Sequence, residues 1–294
     1  MKILISGSTG FIGSKLVALL QTSGHSVTRL VRSSSDIGLL WDPYKNEVDI
    51  SRMEGYDVFV HLSGESINGR WTQSKKKRIM ESRIIPTHFL AECISKLKNP
   101  PKAFICSSAI GYYGNRGDEE LTEASSPGTG FLADVCKVWE AATQPIAKQG
   151  IRVVNVRTGL VLSPDGGALQ KLLLPFKLGA GGKIGSGNQW WSWITLNDLL
   201  KIYQYSIEDG SVNGPVNAVA PNPERNSKFV KTLGKVLRRP AIFPLPSIAV
   251  RTIFGEMGQE LLLDGQRVVP KKLIDSGFQF EHTELEPALR CIIV

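Results

Sequence analysis

Short apolar runs and longer amphipathic runs alternate along the first half of the chain. Lys2-Ile3-Leu4-Ile5-Ser6 is short and β-branched, Gly7 stops it, and Phe11 to Leu20 carries helical spacing. Gly24 predicts the end of that helix, and Ser26 to Val31 alternates as a second strand running into Arg32-Ser33-Ser34-Ser35. Asp57 to Leu62 predicts a buried strand closed by Ser63-Gly64. Residues 71 to 97 predict one long helix or two broken ones, ending before Asn99-Pro100-Pro101. Ala103 to Ser108 is the next strand, with a hydroxyl pair at its carboxyl end. Leu132 to Lys148 is helical by composition and spacing, and Ile151 to Val156 followed by Leu160 to Leu162 gives another strand. Strand and helix in alternation, with apolar strands, predict an α/β fold: a Rossmann-type doubly wound parallel sheet covered on both faces.

The texture changes beyond about residue 165. Gly166-Gly167, Gly179, Gly181-Gly182, Gly185 and Gly187 precede Trp190-Trp191-Ser192-Trp193, a density that suits a loop closing over a ligand or a packed seam. Ile194 to Tyr205 returns to helix, with Thr195, Asn197 or Asp198 as its cap. Pro240, Pro244 and Pro246 mark a junction to a final helical segment, Ser247 to Val294. The expected organisation is a nucleotide-binding domain over 1–165, with 195–220 returning to it. Residues 166–194 and 221–294 form a smaller C-terminal α/β substrate side, of which 245–294 is a module of its own.

Composition narrows the function classes. Hydrophobic residues make up 42% of the 294 and charged residues 21%, as expected of a globular chain with a sizeable core. No apolar run is long enough for a membrane span, and the N-terminus enters a strand at once, so the sequence predicts no membrane partner, no signal peptide and a cytoplasmic location. Cys93, Cys106, Cys136 and Cys291 are scattered and fit reduced thiols; the four histidines are scattered too, and no metal constellation is expected. Lysine plus arginine (35) exceeds aspartate plus glutamate (27), a net charge of +8. The densest basic run, Lys75-Lys76-Lys77-Arg78, has a helical pattern without interleaved aromatics and reads as a solvated face rather than a nucleic-acid patch. The expected partner is a small molecule; oligomeric state stays open.

Gly7, Gly10 and Gly13 punctuate a turn between a strand and a helix, the order needed to bring bare backbone against a phosphate. The amide groups of a helix N-terminus lack intrahelical partners and carry the positive end of the dipole. At the end of the second strand, where a dinucleotide fold meets the adenosine ribose, the chain has Arg32 and hydroxyls but no acid before Asp36. Arginine there suits a 2′-phosphate, which predicts NADP(H) over NAD(H); the alternative is a surface arginine in a loop. This turn, Arg32, Leu62-Ser63-Gly64 and Ser107-Ser108 all fall at the carboxyl edge of the expected sheet, where such sheets bind ligands.

These residues resemble an extended short-chain dehydrogenase/reductase. Ser6 through Gly13 is similar to that superfamily's cofactor turn, Asp57 through Gly64 to its strand-four signature, and Ser107-Ser108-Ala109 with Tyr113-Gly114 to its serine-bearing strand. More narrowly, the chain resembles the epimerase-like family of the SDR39U type. That likeness is carried by Trp139-Glu140-Ala141-Ala142, by Leu174-Pro175-Phe176-Lys177 through Trp193-Ile194, and by Phe254 through Pro270 with Gly277-Phe278, the family's own C-terminal module. The resemblance implies NADP(H) held at the pyrophosphate by Gly7, Thr9, Gly10, Phe11, Ile12 and Gly13. It implies Arg32 and Ser33 at the 2′-phosphate, Leu62, Ser63 and Gly64 along the adenosine ribose, and Arg83 and Val161 near the cofactor. Seven residues after Trp71, where the family places a negative charge, this chain has Arg78.

The chemistry departs further from the pattern. Working members of the superfamily pair a tyrosine with a lysine four residues later on one helix face, the ammonium making the phenol a usable acid or base. Lys137 matches the lysine, but four residues before it stands Ala133. Two readings follow. In one, the protein is an NADP-dependent oxidoreductase or a nucleotide-sugar epimerase-like enzyme, with Ser108 orienting substrate, Lys137 nearby, and Tyr113 or Tyr112 supplying a proton or packing beside the nicotinamide. In the other, hydride chemistry is lost and the protein is an NADP(H) sensor or scaffold. Specificity is expected to reside in residues 165–195 and after Asn217.

Overall fold

The computed structural model describes residues 1–293. The N-terminal half runs β1 (Lys2–Ser6), α1 (Phe11–Thr22), β2 (Ser26–Val31), β3 (Leu39–Asp42), β4 (Glu47–Val48), β5 (Val58–His61), α2 (Gln73–Ser95), β6 (Ala103–Ala109), β7 (Glu120–Leu121), α3 (Phe131–Ala141) and α4 (Gln144–Ala147). It continues through β8 (Arg152–Thr158), β9 (Leu160–Ser163), α5 (Gly167–Lys177), β10 (Trp190–Trp191), β11 (Trp193–Thr195), α6 (Leu196–Glu208), β12 (Gly214–Ala218), β13 (Glu224–Arg225) and α7 (Asn226–Leu237). The chain closes with α8 (Ser247–Gly258), β14 (Arg267–Val268), α9 (Lys271–Asp275) and α10 (Leu285–Ile293).

Eight strands form the central sheet in the order β12-β8-β6-β5-β1-β2-β3-β4, every neighbouring pair parallel except β3 with β4. The chain turns one way from β1 to β2 and the other way to β5, so the strand order reverses beside β1, where doubly wound sheets open a ligand crevice. One face packs Ile3, Ile5, Val60 and Ile105 against Leu16, Leu20, Leu199 and Tyr203 of α1 and α6. The other packs Leu4, Phe59 and Phe104 against Phe89, Leu90 and Ile94 of α2. A separate core joins α5, α7 and α10 through Leu173, Phe229 and Leu289, with Trp193 fully buried in it. No described helix is long and apolar enough to cross a membrane.

Several local expectations change in the fold. Residues 73–95 are a single helix despite Pro86, whereas Pro145 begins a separate α4, dividing the expected helix over 132–148. The expected strand over 151–162 is two strands: β8 joins the central sheet, while β9 leaves it after Gly159 to pair with β11. Gly159 permits that departure, since a Cβ there would stand 2.5 Å from the Ser192 carbonyl oxygen. The segment after residue 247 is not helical throughout, because β14 pairs with β7. Thr195 is the cap of α6, accepting from the Asp198 amide. Both Trp191 and Trp193 are buried side chains of the seam, Trp191 edge-on to Phe229.

His61, at the end of β5, is fully buried between Trp41 and Phe104, its Nδ1 2.6 Å from Ser6 Oγ. Burial pulls its pKa from 6.5 down to about 3. An unfolded histidine takes up a proton below 6.5 and the folded one does not until about 3. The unfolded state therefore binds more protons in that window, and stability drops by about 1.4 kcal/mol for each unit by which the pH is lowered. Denaturant midpoints of the wild type and His61→Gln, compared from about pH 7 to about pH 4, are expected to converge as the pH falls. Parallel curves would show that His61 does not report burial in this way.

Candidate functional site

The turn after β1 is held by main-chain contact. Gly7 has a φ of +70°, and a Cβ there would stand 2.7 Å from the Leu62 carbonyl carbon and 2.8 Å from the Ser63 nitrogen. A Cβ on Gly13 would stand 2.1 Å from the Gly7 carbonyl oxygen, so α1 is pressed onto the strand end. Gly10 caps α1 without a side-chain hydrogen bond, and the first turn carries no acid. The buried Ser8 Oγ has no hydrogen-bond partner, and Thr9 and Gly10 are exposed beside it. Uncapped amides, an orphaned hydroxyl and a backbone cradle together fit a pyrophosphate. The Phe11 ring fills the space in front of Gly166, 2.6 Å from where its Cβ would be, and Val161 and Ile12 pack on the sheet core beside it.

Arg32 and Ser33 directly follow β2 and are exposed, with Ser33 Oγ 2.7 Å from Ser35 Oγ. Leu62, Ser63 and Gly64 follow β5, alongside Gly7. Arg83 on α2 braces that turn: its Nη1 donates to the carbonyls of Glu65 (3.1 Å) and Ile79 (2.9 Å), and its guanidinium lies against Gly64 and over the Trp139 ring. Burial lowers the Arg83 pKa from its ordinary value. Arg78 lies 3.7 Å from Glu65.

At the ends of β6, β8 and β12 the structure assembles a network that the sequence did not show. Ser108 Oγ donates to Glu140 Oε1 at 2.7 Å. Arg157, from β8, donates to both Glu140 oxygens at 2.8 Å and to the Tyr113 hydroxyl, which in turn donates to Asn217 Oδ1 on β12. The guanidinium also sits 3.5 Å from the centre of the Tyr112 ring. Burial works against the Arg157 charge, yet the Glu140 carboxylate and the Tyr113 hydroxyl hold its pKa above the ordinary range. Of the three catalytic candidates, Ser108 stands at this edge. Tyr113 is fully buried, its pKa pushed up to about 12 by burial, and its hydroxyl accepts from Arg157 and donates to Asn217. Lys137 pairs with Asp134 at 2.6 Å on the half-exposed side of α3. The sequence marks Glu140 only as part of Trp139-Glu140-Ala141-Ala142. The signal for it lay in helical spacing: Cys136 and Glu140 stand one turn apart on α3, and a carboxylate next to buried apolar positions requires a partner.

The C-terminal segment closes the other side. Glu260 accepts from the amides of Phe131 (2.8 Å) and Leu132 (2.9 Å), capping α3, and burial raises its pKa. Between this cap and the turn after β6 lies a cavity of about 250 Å³ reached from Gly111, Gly114 and Thr129. Asp198, Glu281 and His282 also converge, with ligand-type atoms within 4.8 Å of one another. The Asp198 carboxylate accepts the amides of Glu281 and His282, so the cluster clamps the C-terminal segment to α6. Glu140→Ala is expected to strand the Arg157 guanidinium, whose side chain is 3% exposed, and to lower stability by about 3–5 kcal/mol. An unchanged urea midpoint would contradict the buried pair.

A profile of the NAD dependent epimerase/dehydratase family matches residues 3–218, and one of a domain of unknown function (DUF1731) matches residues 245–292. Epimerase family protein Mb2239 of Mycobacterium bovis is 41% identical over 290 residues, covering 98% of this chain and 96% of that protein. The crystal structure of human epimerase family protein SDR39U1 with NADPH is similar with a TM-score of 0.90 at 36% identity, covering 99% of each chain. A nucleoside-diphosphate sugar epimerase from Corynebacterium glutamicum is similar with a TM-score of 0.83 at 38% identity, over all of this chain and 58% of that one. With the first profile spanning well over half of its length, the chain belongs to the NAD dependent epimerase/dehydratase family.

Proposed function

We propose that this protein binds NADP(H) and acts as an oxidoreductase, or an epimerase working through oxidation and reduction, on a small molecule in the cytoplasm. The observation that carries the reading is the cradle at the start of α1: unpaired amides, the orphaned Ser8 hydroxyl, and glycines whose replacement would drive a Cβ into backbone. The NADPH in the human relative's structure supports it. Gly7, Gly10, Phe11, Ile12 and Gly13 would hold the pyrophosphate, with Thr9 at its exposed rim. Arg32 and Ser33 would receive the 2′-phosphate, and Leu62, Ser63 and Gly64, braced by Arg83, the adenosine ribose. Val161 would back the nicotinamide side.

When bound, the coenzyme supplies or accepts a hydride. Ser108 orients the substrate oxygen at the end of β6, and Glu140 and Arg157 fix Ser108 in place. A second reading rests on Ala133: with no phenol one turn before Lys137, the protein would bind NADP(H) as a sensor. Ser108→Ala separates them, since turnover on any carbonyl or alcohol panel should be lost in the enzyme while coenzyme binding persists.

Arg32→Ala tests coenzyme selection. A charge-assisted contact contributes about 1.5–3 kcal/mol, so NADPH affinity is expected to fall about tenfold to a hundredfold with NADH little changed. Equal weakening of both, measured by calorimetry, would remove Arg32 from the 2′-phosphate.

A further inference from the structure

The Ser108–Glu140–Arg157 geometry has a direction. Arg157 donates to both carboxylate oxygens at 2.8 Å, a bidentate pair in which Glu140 is the acceptor on both sides. Ser108 stands 2.7 Å from Oε1 and must spend its single hydroxyl hydrogen there. Toward the crevice it can offer lone pairs alone. The Cys136 thiol, also beside Ser108, is pushed up to about 11 by burial, stays neutral, and occupies at most one of them.

We propose that Glu140 is a specificity-determining residue: by holding the Ser108 hydrogen it makes the site receive its substrate through a hydrogen-bond donor, an alcohol or a protonated amine, rather than through a carbonyl. The inference rests on the reading of Ser108 as the substrate-facing hydroxyl. The neighbouring cavity, which begins three residues beyond Ser108 at Gly111, has the same polarity. Glu256, Glu260, Asp264, Gln259 and Asn115 line it, and no described lysine or arginine does, although Lys76 reaches Glu256 from outside at 2.7 Å. Such a wall accepts hydrogen bonds from hydroxyl or ammonium groups and disfavours a phosphate. The substrate class is therefore a polyhydroxylated or amino-bearing molecule that enters as the alcohol or amine and meets the oxidised coenzyme.

Three probes of one shape isolate the polarity: cyclohexylammonium donates only, cyclohexanol does both, and cyclohexanone accepts only. Their affinities, read by saturation-transfer NMR on the protein with and without NADP⁺, are expected to fall in that order. Ammonium and ketone should differ about tenfold, because the ketone oxygen would face a lone pair. In Glu140→Ala the Ser108 hydrogen loses its acceptor and is free to turn outward, so the ketone should gain on the alcohol; in Ser108→Ala the alcohol and the ketone should bind alike, while the acidic wall still favours the ammonium. A ketone that binds the wild type as well as the alcohol, an alcohol-over-ketone preference that survives both substitutions, or no binding of any probe overturns the proposal. The side chains are assembled in the protein alone, so the probe order judges this inference even if NADP⁺ fails to bind, a failure that would strike the coenzyme reading instead.

Discussion

The Gly7 carbonyl oxygen lies 2.1 Å from the point where a side chain on Gly13 would begin. That closeness sets the position of everything at the carboxyl edge of the sheet. Any side chain at Gly13 would lift α1 off β1, and the amides at the helix start would no longer converge on the turn. Gly7 also meets the Leu62–Ser63 backbone, 2.7 Å from where its own Cβ would stand, so it locks the end of β5 against the end of β1. The crevice follows from the strand order, which reverses at this point, and from the bare backbone that lines it.

A second constraint acts across the sheet. Glu140 and Arg157 form a buried pair, costly to desolvate and held by bidentate geometry with Tyr113 and Asn217 completing the hydrogen bonds. The pair ties α3 to β8 and fixes Ser108 between them. Helix α3 is in turn capped by Glu260, which comes from the C-terminal segment. The C-terminal module thus reaches the site through a defined contact: it satisfies the first amides of the helix that carries Lys137 and Glu140, and it supplies the acidic wall of the adjoining cavity.

The parallel sheet, α1 and the serine-bearing strand were legible in the sequence because local periodicity and glycine punctuation encode them directly. Gly24, with a φ of +83°, sits where the first helix stops. Short edge strands such as β3 and β4 were not legible, since Leu39–Asp42 and Glu47–Val48 have too few residues for a period to emerge. The division of 151–162 into two sheets depends on how closely Gly159 approaches the Ser192 backbone, a contact made 33 residues away that no window over the strand contains. The same holds for the candidate site. Its glycine cradle is local and readable; the Glu140–Arg157 pair, and the committed hydroxyl of Tyr113, exist only once strands 6, 8 and 12 lie side by side.

The most direct measurement titrates the wild-type protein with NADPH and, separately, NADH, following the nicotinamide fluorescence. Saturable 1:1 binding of NADPH, with NADH weaker by about tenfold or more, is the predicted result. Absence of binding by both coenzymes would contradict the account, since the backbone cradle would then have no anion to hold.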